Sequence, residues 1–301
     1  GLMSSVKLSD DSFVLRLADE VTRTKLSRLF ACGRIDATSR VIAVWCIHGR
    51  RRLVGAIIAV PDQRNPQPHY LVDLYRLPGY EGSELDLLLL QKFLVMCPPD
   101  ISLFCRTPFL KASRIADFLV THKFQARDEI HKYEASLCVL ASRVNRINRR
   151  LDRHRSLDKC GELVALDETT KDRVRLSLER ANLMSSSEFD RLYESFVAHD
   201  FKRCSSIALA RGNVIGILLV VPMPVSARVS IPVIWVHPNH RQSWVQTRLL
   251  QRSIQSSAHL SPTTIEFSGD TAKAPDTIKL ANKAQATLLS RYCRFERVIA
   301  Q

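Results

Sequence analysis

Long hydrophobic runs are scarce in this chain. The most apolar stretches, Val214–Pro224 and Leu85–Cys97, are too short or too interrupted to cross a bilayer, which takes about 20 consecutive apolar residues, so a membrane-spanning reading is excluded. The opening GLMSSVKLSDD has no charged segment followed by an apolar one, and no secretion signal is expected. Cysteine is present without pattern. The eight residues, Cys32, Cys46, Cys97, Cys105, Cys138, Cys160, Cys204 and Cys293, form no CxxC pair and no cluster with histidine. The expectation is a reduced, cytoplasmic chain whose cysteines serve as small hydrophobes, with neither a disulfide framework nor a zinc site. His237, His240 and His259 also lack metal-ligand spacing, and no metal is expected. Phosphate loops ending in Gly-Lys-Ser/Thr, dinucleotide fingerprints and Ser-His-Asp contexts are missing too, which removes the common nucleotide-binding and serine-hydrolase readings.

What the chain does have is length, positive charge and a repeat. Its 301 residues, 46% hydrophobic, suffice for two cores of roughly 140 residues each. A net charge of +14 draws polyanions at long range, whether nucleic acid, acidic membrane or a phosphorylated cofactor. Two passages, YLVDLYRLPGYEGSELDLLLL (70–90) and PVIWVHPNHRQSWVQTRLL (232–250), each read as an apolar strand, a polar loop and the start of a Leu-rich helix. Aligning Leu87-Leu88 with Leu249-Leu250 without a gap places Leu74 opposite Val236, Gly82 opposite Trp244 and Glu84 opposite Gln246. A repeat on the scale of a whole domain implies duplication rather than a solenoid.

The elements around the two passages recur in one order. The first half reads as strand 13–17, a helix carrying Val21, Leu26, Leu29 and Phe30, strands 41–47 and 53–60, strand 70–75, helix 83–96, strand 101–105, helix 110–122 and a last strand in EIHKYEASLCVL. The second half repeats this with a hairpin turning at Gly212-Asn213, strand 229–236, helix 246–257, strand 263–267, helix 276–292 and a terminal strand in FERVIAQ. Between them ASRVNRINRRLDRHRSLDK sets Val144, Ile147 and Leu151 at helical spacing amid six arginines, a basic linker helix with one thin apolar stripe. The fold class is α+β: two tandem domains, 1–140 and 161–301, joined by the linker 141–160, each a mixed, mostly antiparallel sheet with helices on both faces.

The second passage resembles the central motif of the GNAT superfamily of acyl-CoA-dependent N-acetyltransferases, V-x-P-x-x-R-G-x-G-x-G-x-x-L-L, at Val236, Pro238, Arg241, Leu249 and Leu250. NKAQATLLSRYCRF resembles the closing N-x-x-A-x-x-L-Y-x-x-x-G-F helix and strand at Ala286, Leu289 and Phe295. This resemblance implies that acetyl-CoA or another acyl-CoA is bound and its acyl group passed to an amine. It implies that strand 229–236, through Ile234 and Val236, pairs with the pantetheine amides. The loop and helix start at Arg241, Gln242, Ser243, Trp244, Val245 and Gln246 would then hold the pyrophosphate on backbone N–H groups and a helix N-terminus. Trp244 and Gln246 replace family glycines, whereas Arg241 keeps a phosphate-pairing charge and Ser243 is placed to cap the helix. The first-half loop retains Gly82 but adds Glu81 and Glu84, and a carboxylate about 4 Å from a phosphate is opposed by roughly 1 to 4 kcal/mol, so cofactor is expected in the second half.

Acyl transfer needs a base and an acid. Candidate bases are Asp73 and Glu266, both on apolar strands, each set against the plainer reading of a solvated strand face. Leu119 and Ser290 stand where the family has an acid tyrosine, and Tyr292 is read as packed on the other side of the closing helix. The first domain would shape the acceptor site or a homo-dimer. Two rival readings stay open: a non-catalytic scaffold or acyl-CoA sensor, and a nucleic-acid-associated module using the arginines at 143, 146, 149, 150, 153 and 155.

Overall fold

The computed structural model describes residues 13–17, 42–48, 52–62, 65, 69–76, 80, 84–153, 161–184, 186–198, 202–223, 226–241 and 244–299. The strands are β1 (Phe13–Leu17), β2 (Ile42–His48), β3 (Arg52–Pro61), β4 (His69–Arg76), β5 (Ser102–Leu110), β6 (Gln125–Ser136), β7 (Gly161–Ala165), β8 (Ser206–Ala210), β9 (Asn213–Met223), β10 (Arg228–Val236), β11 (Thr264–Asp270) and β12 (Thr287–Arg297). The helices are α1 (Glu84–Met96), α2 (Arg114–Thr121), α3 (Leu137–Arg153), α4 (Lys171–Arg180), α5 (Ser186–Ala198), α6 (Val245–Ser257) and α7 (Pro275–Lys283). The expected helix around 21–30 and the turn at Gly49 lie outside the described residues.

The chain forms two units, residues 1–129 with 292–301 and residues 130–291. In the first, β1, β2, β3 and β4 pair antiparallel in sequence order, β4 pairs parallel with β5, and β5 pairs antiparallel with β12. In the second, β7, β8, β9 and β10 pair antiparallel, β10 pairs parallel with β11, and β11 pairs antiparallel with β6. The plan is the same in both, a mixed sheet with one parallel step. The closing strands are exchanged, however: the strand that ends the first half serves the second unit, and the strand that ends the chain serves the first. The sequence-read divisions at 140 and 161 therefore give way to cuts at 129/130 and 291/292.

Helix packing explains which residues are apolar. Leu85, Leu89, Leu90 and Phe93 of α1 recur at helical spacing and are buried in the first core with Val72, Leu74, Leu103 and Leu119. In the second unit α3, α6 and α7 bury Val144, Val245, Leu249 and Ala281 in one cluster, while α4 and α5 bury Val174, Leu178, Phe189 and Phe196 with Ile217 and Leu219 in another. Two glycines permit close approach. A Cβ on Gly55 of β3 would meet Leu85 and Leu89 at 3.0 and 3.2 Å, and one on Gly216 of β9 would meet Val245 and Leu249 at 2.4 and 2.9 Å. The β8–β9 hairpin turns on Arg211 (φ 51°) and Gly212 (φ 78°), one residue before the expected pair, as a two-residue turn with both central residues left-handed requires.

These contacts correct the internal alignment. Leu85 and Leu89 do against Gly55 what Val245 and Leu249 do against Gly216, so Leu89-Leu90, not Leu87-Leu88, match Leu249-Leu250. Gly55 faces Arg76 and Gly216 faces Val236, so Arg76, not Leu74, is the counterpart of Val236. The helix register then makes Glu84 the counterpart of Trp244 and Asp86 that of Gln246. The run LDLLLL offers several registers to a reader of sequence, and burial selects one. The match is not gapless either, because a bulge between Ser230 and Val233 adds a residue to β10.

Two further expectations change. The helix read over 276–292 ends at Lys283, where Gln285 turns left-handed (φ 53°) and the Ala286 N–H bonds to the Ala281 carbonyl at 2.9 Å; TLLSRYCRFER is strand β12. The basic linker is α3, a member of the second unit that begins at Leu137 and buries Leu140, Val144 and Asn148. Among the described cysteines, Cys97, Cys105, Cys204 and Cys293 are buried and all five are free thiols. No described helix is long and apolar enough to cross a membrane.

Candidate active site

In the second unit β10 and β11 pair from Arg228↔Thr264 to Ile231↔Phe267 and no further. Beyond that point β10 stays on β9 as far as Val236↔Gly216, and β11 stays on β6 as far as Asp270↔Ile130. Two strands that follow different neighbours diverge, and a wedge opens between them. The orientation of the wedge backbone follows from strand alternation. The His237 N–H bonds to the Ile215 carbonyl of β9 at 2.8 Å, so Trp235 and His237 face β9 while the N–H and C=O of Ile234 and Val236 face the wedge. The bulge sets this parity: Val229 and Ile231 lie in the core beneath α6, Val233 in the opposite core, and Ile234 and Val236 return to the α6 side.

At the wide end of the wedge β10 passes through His237 and the turn Pro238–His240 to Arg241 and, at Trp244, into α6. The first turn of α6 holds no acidic residue, so the positive end of its dipole is not neutralised from within. Arg241 is exposed and no described carboxylate lies within ion-pair distance of it. Gln242 and Ser243 lie outside the described residues. Val245 is fully buried against Gly216. Trp244 turns its indole onto β7, where a Cβ on Gly161 would lie 2.5 Å from Cζ2. Gln246 donates through Nε2 to Oγ1 of Thr277, in the first turn of α7, at 2.9 Å. Of the sequence-read binding residues, Ile234, Val236, Arg241, Trp244, Val245 and Gln246 thus border one wedge and helix start. The side chains of Trp244 and Val245 serve packing, leaving their part at the helix end to the backbone.

The equivalent place in the first unit is filled by the chain itself. The parallel β4–β5 ladder ends at Val72↔Cys105. Past it the Leu74 N–H, counterpart of the wedge-facing Ile234 N–H, donates to Oγ1 of Thr107 at 2.9 Å. Beside it Asp73 receives the Arg106 guanidinium on both oxygens, with Nε at 3.0 and 3.1 Å. The start of α1 carries Glu84 and Asp86 in its first turn, and Asp86, fully buried, pairs with Arg76 of β4 at 2.6 Å. In the second unit Val236 and Gln246 stand at these last two positions, and Ser268 and Gly269 stand where Arg106 and Thr107 do. The sequence reading missed the Arg76–Asp86 and Asp73–Arg106 pairs; the signal was a set of charges inside otherwise apolar segments.

The two candidate bases are therefore both engaged. Asp73 is gripped by Arg106. Glu266 lies on β11 just before the wedge opens, with Oε1 2.6 Å from the Lys132 ammonium and Oε2 3.8 Å from the Arg228 guanidinium, a cation shared with Glu134. Both carboxylates are thus held by cations, Asp73 through both oxygens and Glu266 chiefly through Oε1. Burial, with Asp73 nearby, pushes the Cys105 thiol up to about 12, so it is no nucleophile. The family's tyrosine position is matched in α2 by Leu119, whose carbonyl accepts the Phe124 N–H just after left-handed Lys123. The same closing bond in α7 runs from Ala286 to Ala281, so the second-unit counterpart is Ala281, not Ser290; Ser290 and Tyr292 lie on β12.

No protein-family model matches the chain, and no curated protein matches it. Solved structures do. A GCN5-related N-acetyltransferase from Sphaerobacter thermophilus covers 96% of this chain and is covered over 96% of its own, at 14% identity and a TM-score of 0.48. A tandem GNAT protein from the clavulanic acid biosynthesis pathway has the same identity and score, with 96% of this chain and 100% of its own covered. A GCN5-related glucosamine N-acetyltransferase region of a fungal multi-domain β-N-acetylglucosaminidase reaches a TM-score of 0.51 at 10% identity, over 95% of this chain and 38% of the fungal one. At that identity the likeness is one of fold alone, and the fungal region, with its TM-score of 0.51, carries it: the chain has the fold of the GCN5-related N-acetyltransferases.

Proposed function

We propose that the chain is two tandem copies of this fold, 1–129 with 292–301 and 130–291, and that the second copy binds acetyl-CoA or another acyl-CoA and passes its acyl group to an amine. The observation that carries the reading is the contrast between the wedges. In the second unit the backbone of Ile234 and Val236 faces the side from which β11 has departed, next to an acid-free helix start and to Arg241, which has no carboxylate partner among the described residues. An elongated ligand with amides along its length and phosphates at one end suits that row of groups. Its amides would pair with Ile234 and Val236, and its pyrophosphate would meet Arg241, the unit's 242–243 segment and the first N–H groups of α6. The thioester supplies the activated acyl group, and the chain supplies position.

Glu266 is the carboxylate proposed to relay a proton from the amine, and to do so it must part from Lys132. Asp73 remains bound to Arg106 and serves the structure of the first unit. No tyrosine stands at the acid position, so the thiolate leaves to solvent and turnover is slow, since general acid help is worth roughly a hundred- to ten-thousandfold. The engaged Glu266 and the alanine at 281 also favour a second reading, an acyl-CoA sensor that binds without turnover.

Calorimetric titration with acetyl-CoA and with coenzyme A tests both. Arg241→Ala is expected to weaken binding by about 1.5–3 kcal/mol, roughly ten- to a hundredfold. Arg76→Ala, which removes an arginine from the first unit at the counterpart of Val236, should leave the affinity of the folded fraction unchanged. No binding, or binding indifferent to Arg241, would overturn the proposal. Binding with no acyl transfer to any of a panel of amines would leave the sensor.

A further inference from the structure

Helix α3 carries a second surface that the acyltransferase reading does not use. Arg143, Arg146, Arg149, Arg150 and Arg153 fall, at 100° per residue, within an arc of roughly 120° on the side opposite the buried Leu140 and Val144. Arg146, Arg149, Arg150 and Arg153 are exposed and Arg143 half-buried, and none of the five has a carboxylate or other polar partner among the described residues. The helix has one acid, Asp152, and it is turned away from the arc to bond with Arg248 of α6. Asn145 and Asn148 likewise face α6, at Gln251 and at the Thr247 carbonyl. The helix thus spends Asn145, Asn148 and Asp152 on docking and leaves outside a face that is all arginine from Arg143 to Arg153, preceded on the same arc by the exposed Val139 and Ser142. Arg150 and Arg153 complement the dipole of the last turn, but that accounts for two of the five.

We propose that this face docks on the phosphate backbone of a nucleic-acid duplex. Arginine forks pair with phosphate oxygens in two-point fashion, and the stripe from Arg143 to Arg153 is about 15 Å long at 1.5 Å per residue, the axial length of about four phosphates of one strand. A membrane surface fits less well, because an interfacial helix needs a broad apolar face beside its basic residues, and here a single exposed valine, Val139, lies beside the arginines while Leu140 and Val144 are committed to the core. Single strands fit less well too, because α3 has no aromatic side chain on which a base can stack. The surrounding charge of +14 favours any such encounter at long range.

The test uses the full chain and a mixed-sequence DNA duplex of about 20 base pairs, with binding followed by fluorescence anisotropy between 50 and 200 mM salt. Four phosphate contacts predict a slope of log K against log salt near −3.6, a loss of roughly a hundredfold across that range. Replacing Arg146, Arg149, Arg150 and Arg153 together by Gln should flatten the slope by about one per residue removed. A control with Lys92, Arg180, Arg203 and Lys283 changed to Gln removes equal charge elsewhere and should leave the slope near its starting value. Equal losses in the two variants, tighter binding to anionic vesicles or to an acidic peptide than to duplex, or no duplex binding at 50 mM salt would each overturn the proposal. Circular dichroism keeps a folding defect apart from a binding one.

Discussion

Replacing Gly161 by Ala is expected to disturb the candidate site through Trp244. The added methyl would lie 2.5 Å from Cζ2 and 2.8 Å from Cη2 of the indole, and both atoms belong to a rigid bicycle. Carbon atoms rest at about 3.5–4.0 Å, so the ring must retreat by about 1 Å. Overpacking of this kind costs about 1–3 kcal/mol, partly offset by the gain of roughly 0.5–1 kcal/mol from removing a strand glycine. A net loss of up to about 2.5 kcal/mol follows. The damage should not stay local, since the Trp244 carbonyl accepts the Arg248 N–H at 3.0 Å and the Thr247 hydroxyl at 3.1 Å, the bonds that start α6. Urea unfolding followed by tryptophan fluorescence reads the stability, and coenzyme A titration reads the helix start. Trp244→Phe deletes the two crowded atoms, so the penalty of Gly161→Ala should disappear in that background. An equal penalty in both backgrounds, or a variant more stable than the parent, would refute the packing argument.

Other outcomes follow from the same contacts. Asp86→Ala leaves Arg76, whose side chain is 18% exposed, facing an empty buried site, and should cost about 3–5 kcal/mol in a denaturation experiment. Changing Arg76 to Val and Asp86 to Gln together, the pair the second unit has, should cost far less; a larger loss for the double variant would sink the counterpart assignment. Burial raises the thiols of Cys105 to about 12 and Cys97 to about 11, above the ordinary 9.0, so the folded state keeps protons that the unfolded chain releases. Their contribution to stability is whole below about pH 9 and is lost as pH rises from there through 11 to 12, which denaturation midpoints across that range would show. Near neutral pH, Cys138, the exposed member of the five described thiols, should be alkylated fast and the other four slowly, as peptide mass analysis would show.

Much of the plan is legible in the sequence, because alternation and helical spacing report burial. The hairpins of β-branched residues, the Leu-rich helices and the strand that ends in Val236 are where those patterns place them. What escapes is what no pattern encodes. Nothing in the two closing strands, 125–136 and 287–297, names the sheet each joins, and only the three-dimensional pairing assigns each to the opposite unit. The end of α7 rests on Gln285 in a left-handed conformation and that of α2 on Lys123, neither of them the glycine that marks such a stop. The bulge between Ser230 and Val233 shifts the facing of Ile234 and Val236 without leaving a glycine behind. At the site, Arg241 and the wedge strand are visible as a motif. The Asp73–Arg106 pair is not, since the partners are distant in sequence and a charge in a strand reads first as solvated.

The two units answer one physical question in opposite ways. A helix that starts beside a diverging strand pair presents a positive dipole end and unpaired strand amides, and these groups must be satisfied by something. The first unit satisfies them internally, with Asp86 and Glu84 at the head of α1, Arg76 against Asp86, and Thr107 on the Leu74 amide. A tethered carboxylate has an effective concentration that a free phosphate at cellular levels does not match, so an incoming anion there would have to displace a covalent competitor and then face its charge. The second unit places Val236 and Gln246 at the counterpart positions, neither of which carries a charge, and Arg241 has no carboxylate partner among the described residues. The same strand-and-helix geometry is thus closed by carboxylates in the first unit, and in the second it carries none at the counterpart positions, which is the difference on which the proposed cofactor seat rests.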